Sequence, residues 1–425
     1  MKGSTIKLII YILLTVVGLS IYQVNHDGKS PRGYFEPLYS SLHTSGASIN
    51  RTLIMAHRGS RYIVPENTIL AFQTALDLGT DVIETDVRLS KDGHLVIFHD
   101  KLLDRVTNIN GDVEDHTLAE LRACDAGYRF SPDNGTSTPF RGRGLKVPTM
   151  REVFETLPTT TSLNIEIKED DIKVAESLWR ELERAFKELG RPHRSVVVSC
   201  RFCEPTAHIR VLAREYMVKN GLSEMPITTS GCEREVTRFV ILSQIYLAKL
   251  VYSVFPITSF EVFQVPTSSG PISLETGRFI DTAHYFGLHV HFWVINDAPE
   301  MKRVLGLGIE AIITDRPDIA IKVFKDAKLK PANFPVPKPL PSNHSGTYFI
   351  PLSDVEESHT CISFFCILLQ RIHFIILALV LSFVFMKLYS AKSYIAAKSG
   401  LAKRKKNYIL QKQQQQQSQQ KKKTK

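Results

Sequence analysis

Apolar and polar positions along the middle of this chain fall into blocks that switch between two periods. Short apolar runs of strand character lie at Leu53–His57, Val82–Leu89, Leu95–Phe98, Ser162–Lys168, Ser195–Ser199, Pro226–Thr229, Val262–Val265, Leu288–Val294 and Ala311–Thr314. Helical spacing separates most of them: Thr68–Leu78 stops at Gly79, Thr149–Thr156 is short, Ile172–Leu189 stops at Gly190, and a further helix runs to about Tyr216. Strand-then-helix units of this length predict an α/β fold with a parallel sheet over residues 50–325, and their number favours a closed TIM (β/α)8 barrel. Nine strand candidates are one more than the barrel needs, so one is expected to be a hairpin arm or no strand. Segment 102–146, rich in Gly, Asp, Asn and Pro, breaks the rhythm and reads as an insertion over one barrel mouth.

The two ends carry a different pattern. Leu8 to Val24 is an almost uncharged run of 17 residues behind Lys2 and Lys7, which predicts a signal peptide or signal anchor within residues 1–28. A second apolar run, within 362–389, is interrupted by Gln370, Arg371 and His373. An Arg at the bilayer centre costs roughly 2.5–3.5 kcal/mol. The span is therefore expected near Ile372–Tyr389, with Arg371 and Lys387 reaching to its two interfaces; the alternative is a buried helix. Residues 330–360, with prolines at 331, 335, 337, 339 and 341, read as a semi-rigid spacer, and 390–425 as a disordered Gln/Lys-rich tail.

Charge changes the picture once it is located. Of the 53 Lys and Arg, 12 lie in 387–425 with no acidic residue, which leaves 41 basic against 43 acidic residues elsewhere. The net +10 thus belongs to a tail, and nucleic acid is not expected as a partner of the core. A basic tail after the second span implies a cytosolic C-terminus and a lumenal or external middle region. The triplets Asn50-Arg-Thr52, Asn134-Gly-Thr136 and Asn343-His-Ser345 agree with that side, as glycosylation acceptors. The end, Lys422-Lys-Thr-Lys425, resembles a dilysine endoplasmic reticulum address, or is the chance end of a Lys-rich tail. Six cysteines do not make a disulfide scaffold; Cys200-Arg-Phe-Cys203 is weak zinc evidence and is expected as a disulfide or as two buried thiols.

The chemistry gathers where strand-like runs stop. His57 and Arg58 end the first, His99 the third, and Asp100 follows. Glu84 and Asp86 lie two apart on the second, Glu166 and Lys168 two apart on the fourth, so each pair shares a face. Four strands are thus expected to deliver polar groups to the C-terminal rim, where barrel enzymes hold their sites. Buried carboxylates need a counter-charge, and an all-oxygen set suits Mg²⁺ or Ca²⁺. Arg58 and Lys168 offer fixed positive charge for a phosphate, and two histidines an acid and a base near neutral pH. The plain alternatives are a structural ion-pair network for the acids, and a helix N-cap for Asn67.

Taken together, His57-Arg-Gly59, Pro65-Glu-Asn-Thr68, Glu84-Thr-Asp86, Lys91-Asp-Gly93, His99-Asp100, Pro148-Thr149, Glu166-Ile-Lys168, Trp293-Val-Ile-Asn296 and Thr314-Asp-Arg-Pro317 resemble the glycerophosphodiester phosphodiesterase family in order and spacing. Gly59-Ser60 departs mildly from the small pair usual after His-Arg. The resemblance implies a barrel with an insertion after the second histidine and His57 and His99 as acid and base. It implies Glu84, Asp86 and Glu166 as ligands of a divalent metal, with Glu66, Asn67 and Asp100 close behind, and Arg58 and Lys168 on the phosphate. Trp293 is expected to flank the substrate or to pack in the core. It further implies hydrolysis of a glycerophosphodiester to glycerol phosphate and an alcohol, in lipid metabolism, through attack by the glycerol 2-hydroxyl. The apolar stretch Phe239–Ile257 resembles the insert of lysophospholipid-cleaving members, so a lysophospholipase D that releases lysophosphatidic acid is the alternative; this stretch either lines an acyl groove, leans on a membrane, or is a buried barrel helix. A silent membrane-tethered sensor, or a phospholipase C-type barrel, are the competing classes.

Overall fold

The structure, a computed structural model, describes residues 52–327 apart from 255, 256 and 258. The predicted leader, spacer, second span and tail lie outside the described residues, as do Asn50 and Asn343. Among the described residues no helix is long and apolar enough to cross a membrane.

Eleven strands form among the described residues: β1 (Leu53–Ala56), β2 (Val82–Leu89), β3 (Leu95–Ile97), β4 (Ser162–Ile167), β5 (Val196–Cys200), β6 (Thr228–Thr229), β7 (Val262–Val265), β8 (Ser268–Ser269), β9 (Ile272–Ser273), β10 (His289–Phe292) and β11 (Ala311–Thr314). Eight of them run parallel in the order β6-β5-β4-β2-β1-β11-β10-β7. A parallel bridge between Ser230 and Val262, with the Glu261 amide donating to the Thr229 carbonyl, joins the two ends and closes the barrel. Strands β1, β5 and β11 are almost continuously apolar and buried, as a sheet covered on both faces requires, whereas β2 and β4 interleave buried apolar and acidic positions. Met55, Val82, Val197, Val262, Ala311 and Ile313 form one cluster contributed by several strands; two larger clusters pack the strands against the helices.

The surplus strand is β3. It pairs antiparallel with β2, Val87 opposite Ile97 and Leu89 opposite Leu95, and so forms the returning arm of a hairpin. Of the four strands expected to deliver polar groups to the rim, β1, β2 and β4 lie in the barrel, whereas β3, which His99 closely follows, is a hairpin arm. The small antiparallel pair β8–β9 was not expected. The inserted segment folds on a core of its own, in which Leu103, Val106, Val113 and Leu121 pack against Val96 and Phe98.

Helices α1 (Ile69–Leu78), α2 (Leu118–Ala123), α3 (Met150–Thr156), α4 (Ile172–Lys187), α5 (Cys203–Lys219), α6 (Glu233–Gln244), α7 (Ala248–Val254), α8 (Gly277–Tyr285), α9 (Ala298–Leu305) and α10 (Pro317–Asp326) surround the barrel and the insertion. Their starts follow side-chain chemistry. Thr68 caps α1 by accepting from the Ala71 amide, and Thr149 with Glu152 forms a capping box on α3. Within the stretch Phe239–Ile257, Phe239, Val240 and Ile257 are buried in the core, whereas Ile241, Ile245 and Tyr246 are exposed. The Cys200–Cys203 disulfide expectation is also corrected. Cys203 pairs with Cys232, which links the loops after β5 and β6, and Cys200 remains a buried thiol.

Candidate active site

The turn after β1 sets the geometry. Arg58 and Gly59 take positive φ angles of 51° and 80°, so the chain reverses within two residues of the strand end. The Arg58 amide donates to Glu84 Oε2 at 2.7 Å, and the Gly59 amide to the Ala56 and Glu84 carbonyls. His57 is thereby held at the mouth, its Nε2 4.0 Å from Glu84 Oε2 and its Nδ1 2.6 Å from Asp315 Oδ1.

Parallel pairing of β2 with β4 sets Asp86 opposite Glu166 and Glu84 opposite Asn164. Glu84, Asp86 and Glu166 each offer a ligand oxygen, all within 4.8 Å of one another; Glu84 and Asp86 are buried and Glu166 half-buried. Two cations hold the acids together. Lys168 Nζ lies 3.0 Å from Asp86 and 2.8 Å from Glu166, and Arg58 Nε lies 3.4 Å from Asp86. Burial would push the Asp86 carboxyl up, but the Lys168 ammonium and the Arg58 guanidinium hold it at about 2. Burial and the neighbouring Asp86 charge push Glu84 well above the usual carboxylate range. Both imidazoles lie within electrostatic reach of Asp86.

This donor set fits a hard divalent cation. It is all oxygen, and Asp86 Oδ1 is buried without a hydrogen bond despite the nearby ammonium.

The flanking residues divide into two tiers. Asn67 is not a helix cap; Thr68 holds that role. Instead Asn67 Nδ2 donates to Asp86 Oδ2 at 2.8 Å and Oδ1 accepts from Thr85 at 2.9 Å, at a positive φ of 54°. Glu66 receives Arg58 at 2.9 Å and Arg105 at 2.6 Å, so an arginine of the insertion is tied to the β1–α1 loop. Arg105 also donates to Asp100, whose Oδ1 lies 2.6 Å from His99 Nδ1. Arg88 Nε fixes the His99 carbonyl at 2.9 Å. Trp293 follows β10 and is 42% exposed, so it is not core packing. These contacts join His57, Arg58, Glu66, Asn67, Glu84, Asp86, Glu166 and Lys168, and Arg105 ties Asp100 and His99 to them through Glu66. Sequence reasoning gave no role to Arg61, Arg105, Asn296 or Asp315; the Thr314-Asp-Arg-Pro317 and Trp293-Val-Ile-Asn296 motifs already contained the last two.

A model described as the Glycerophosphoryl diester phosphodiesterase family matches residues 57–319. The chain belongs to that family. It is similar to a glycerophosphodiester phosphodiesterase of Caldanaerobacter subterraneus subsp. tengcongensis, 30% identical over 65% of this chain and 98% of the relative. A Bacillus subtilis enzyme of the same name is 31% identical over 65% of this chain and 88% of its own length. The mouse "Lysophospholipase D GDPD1" is 27% identical over 62% of this chain and 83% of that protein. The solved structure from Silicibacter pomeroyi, described as a glycerophosphoryl diester phosphodiesterase, shares the fold at a TM-score of 0.51 and 20% identity, covering 69% of this chain and 99% of the other. As a family member the chain is a phosphoric diester hydrolase that acts on glycerophosphodiesters.

Proposed function

We propose that this hydrolase works with a divalent metal, Mg²⁺ or Ca²⁺, held by Glu84, Asp86 and Glu166, and with His57 and His99 as its proton-transfer pair. The observation that carries the reading is the three-carboxylate cluster, with Glu84 and Asp86 buried and an imidazole 4.0 Å from Glu84. A bound cation would supply electrostatic neutralisation of the phosphodiester oxygens. Arg58 and Lys168, buried against the acids, bring fixed positive charge to the same phosphate. Trp293 stands at the mouth to flank the substrate.

One histidine takes the proton of the glycerol 2-hydroxyl as that oxygen bonds to phosphorus. The other gives a proton to the departing alcohol as the phosphorus–oxygen bond to it breaks. The roles then reverse, and water opens the cyclic phosphate to glycerol phosphate. A free 2-hydroxyl is required, so a diacyl phospholipid is not a substrate.

The lysophospholipase D reading is the second one. An open groove of about 910 Å³ begins just past the ends of β4, β5 and β6 and is lined in part by Phe202, Ile241 and Leu242. Most of the rest of its lining is charged, with Arg201, Glu204, Glu233, Arg234 and Arg238, so one acyl chain would lie along that apolar strip with the lysophospholipid headgroup at the metal. The catalytic domain is read as lumenal, in the endoplasmic reticulum or secretory pathway, anchored by the apolar terminal segments. The Cys203–Cys232 disulfide supports an oxidising compartment, and Asn134 stands on an exposed turn where a glycan fits.

The test is product analysis with the full chain on glycerophosphocholine, lysophosphatidylcholine and phosphatidylinositol. Choline and glycerol phosphate from the first are expected; choline from the second adds the lipid activity. Cyclic inositol phosphate as the main product, or no choline from either, contradicts the proposal.

A further inference from the structure

We propose that Asp315, fixed by Asn296, is the positioning residue for His57: it holds the imidazole in its Nδ1–H tautomer and aims Nε2 at the bound phosphodiester. The inference rests on the catalytic reading above and adds two residues that follow β10 and β11.

Asp315 directly follows β11, and Asn296 lies in the loop after β10, so both reach the mouth from the strands beside β1. Asp315 is buried, and each of its carboxylate oxygens has its own donor. Oδ1 faces His57 Nδ1 at 2.6 Å, and Oδ2 accepts from Asn296 Nδ2 at 2.8 Å. Asn296 in turn is locked, because its Oδ1 accepts from the Asp315 amide at 2.8 Å and from Thr314 Oγ1 at 3.2 Å. The Ile295 amide donates to the Ile313 carbonyl at 3.0 Å and pins the loop. Rotation of the carboxylate would therefore also break its bond to the locked Asn296.

A neutral imidazole has one donor and one acceptor nitrogen, and the hydrogen bond at one decides the other. With Nδ1–H committed to Asp315, Nε2 is the acceptor, on the side that faces Glu84. An acid/base histidine needs this arrangement, and a carboxylate acting through the far nitrogen supplies it without touching substrate. His99 has a looser counterpart: Asp100 is about one-quarter exposed and shared with Arg105. The two histidines are thus held with unequal rigidity, and the more rigid one depends on Asn296.

The experiment compares the full-length wild-type chain with Asp315→Asn, Asn296→Ala and the double variant on glycerophosphocholine, with thermal melts as the folding control. Asp315→Asn should lower kcat by about 100-fold or more with KM within about twofold. Asn296→Ala should lower kcat by about tenfold, and the double variant should be no slower than Asp315→Asn alone. Independently of turnover, wild-type proton NMR should show a downfield imidazole N–H resonance that disappears in Asp315→Asn and in His57→Ala. An unchanged kcat, a rise confined to KM, losses that add in full, or the absence of that resonance overturns the proposal. Inactive wild-type protein that retains the resonance overturns instead the catalytic reading on which it rests.

Discussion

Glu66 shows how single residues are held in this site. Its side chain is 10% exposed and receives Arg58, Arg61 and Arg105. Burial would raise its pKa, but the Arg105 hydrogen bonds and the Arg58 charge hold it at about 2, against an ordinary 4.5. A depressed carboxylate contributes stability that is present above pH 4.5 and lost as pH falls through that value towards 2. The upper bound is about 3 kcal/mol, reduced because Arg105 is partly exposed and screened. Thermal melts of wild-type and Glu66→Gln between pH 5 and pH 2.5 should therefore converge on acidification, the wild type losing the more stability. Parallel curves would contradict this. The glutamate itself was legible in Pro65-Glu-Asn-Thr68, but its partner was not. Arg105 is 39 residues away in a segment without periodicity, and Asp315 is 258 residues from His57. Pairings of that range leave no local pattern; only the short motifs containing them do.

Elements carry the next level of the argument. The barrel was legible because buried parallel strands produce continuous apolar runs and the helices between them produce a second period. What the pattern could not assign was which strand lay outside the barrel. A hairpin arm buried on its own core reads like any barrel strand, and β3 is buried throughout. Strand ends also moved: β6 keeps only Thr228–Thr229 of the run begun at Pro226, whose residue lacks an amide hydrogen to donate. The pair β8–β9 is two residues per strand, too short for any alternation to register. The tightest element is the turn from β1 into α1. Gly59 has a φ of +80°, and a Cβ there would lie 2.7 Å from Ala71 Cβ and 2.8 Å from its carbonyl carbon, inside α1. Gly59→Ala should therefore cost about 3 kcal/mol or more, from left-handed backbone and overpacking together. A denaturant midpoint within experimental error of wild type would show that the helix can withdraw.

At the scale of the molecule, a balanced domain carries the chemistry, and a separate tail carries the net charge. The rim of the barrel is assembled from distant stretches: the loops after β1, β4, β10 and β11, the body of β2 and the inserted hairpin. The Cys203–Cys232 disulfide, across 29 residues, braces the rim where β5 and β6 end. It escaped the sequence because Cys200, three residues before Cys203, is the nearer candidate. Alternation explains the choice: Cys200 closes a fully buried strand, whereas Cys203 opens α5 beside the loop that holds Cys232. The fold's function rests on a claim that one measurement addresses most directly, the turnover of glycerophosphocholine by the full chain before and after chelation, beside His57→Ala and His99→Ala. Loss of activity on chelation, its return with Mg²⁺ or Ca²⁺, and a fall of about 100-fold or more in each variant are predicted. Undiminished turnover under chelator, or a histidine variant as fast as wild type, would contradict the account.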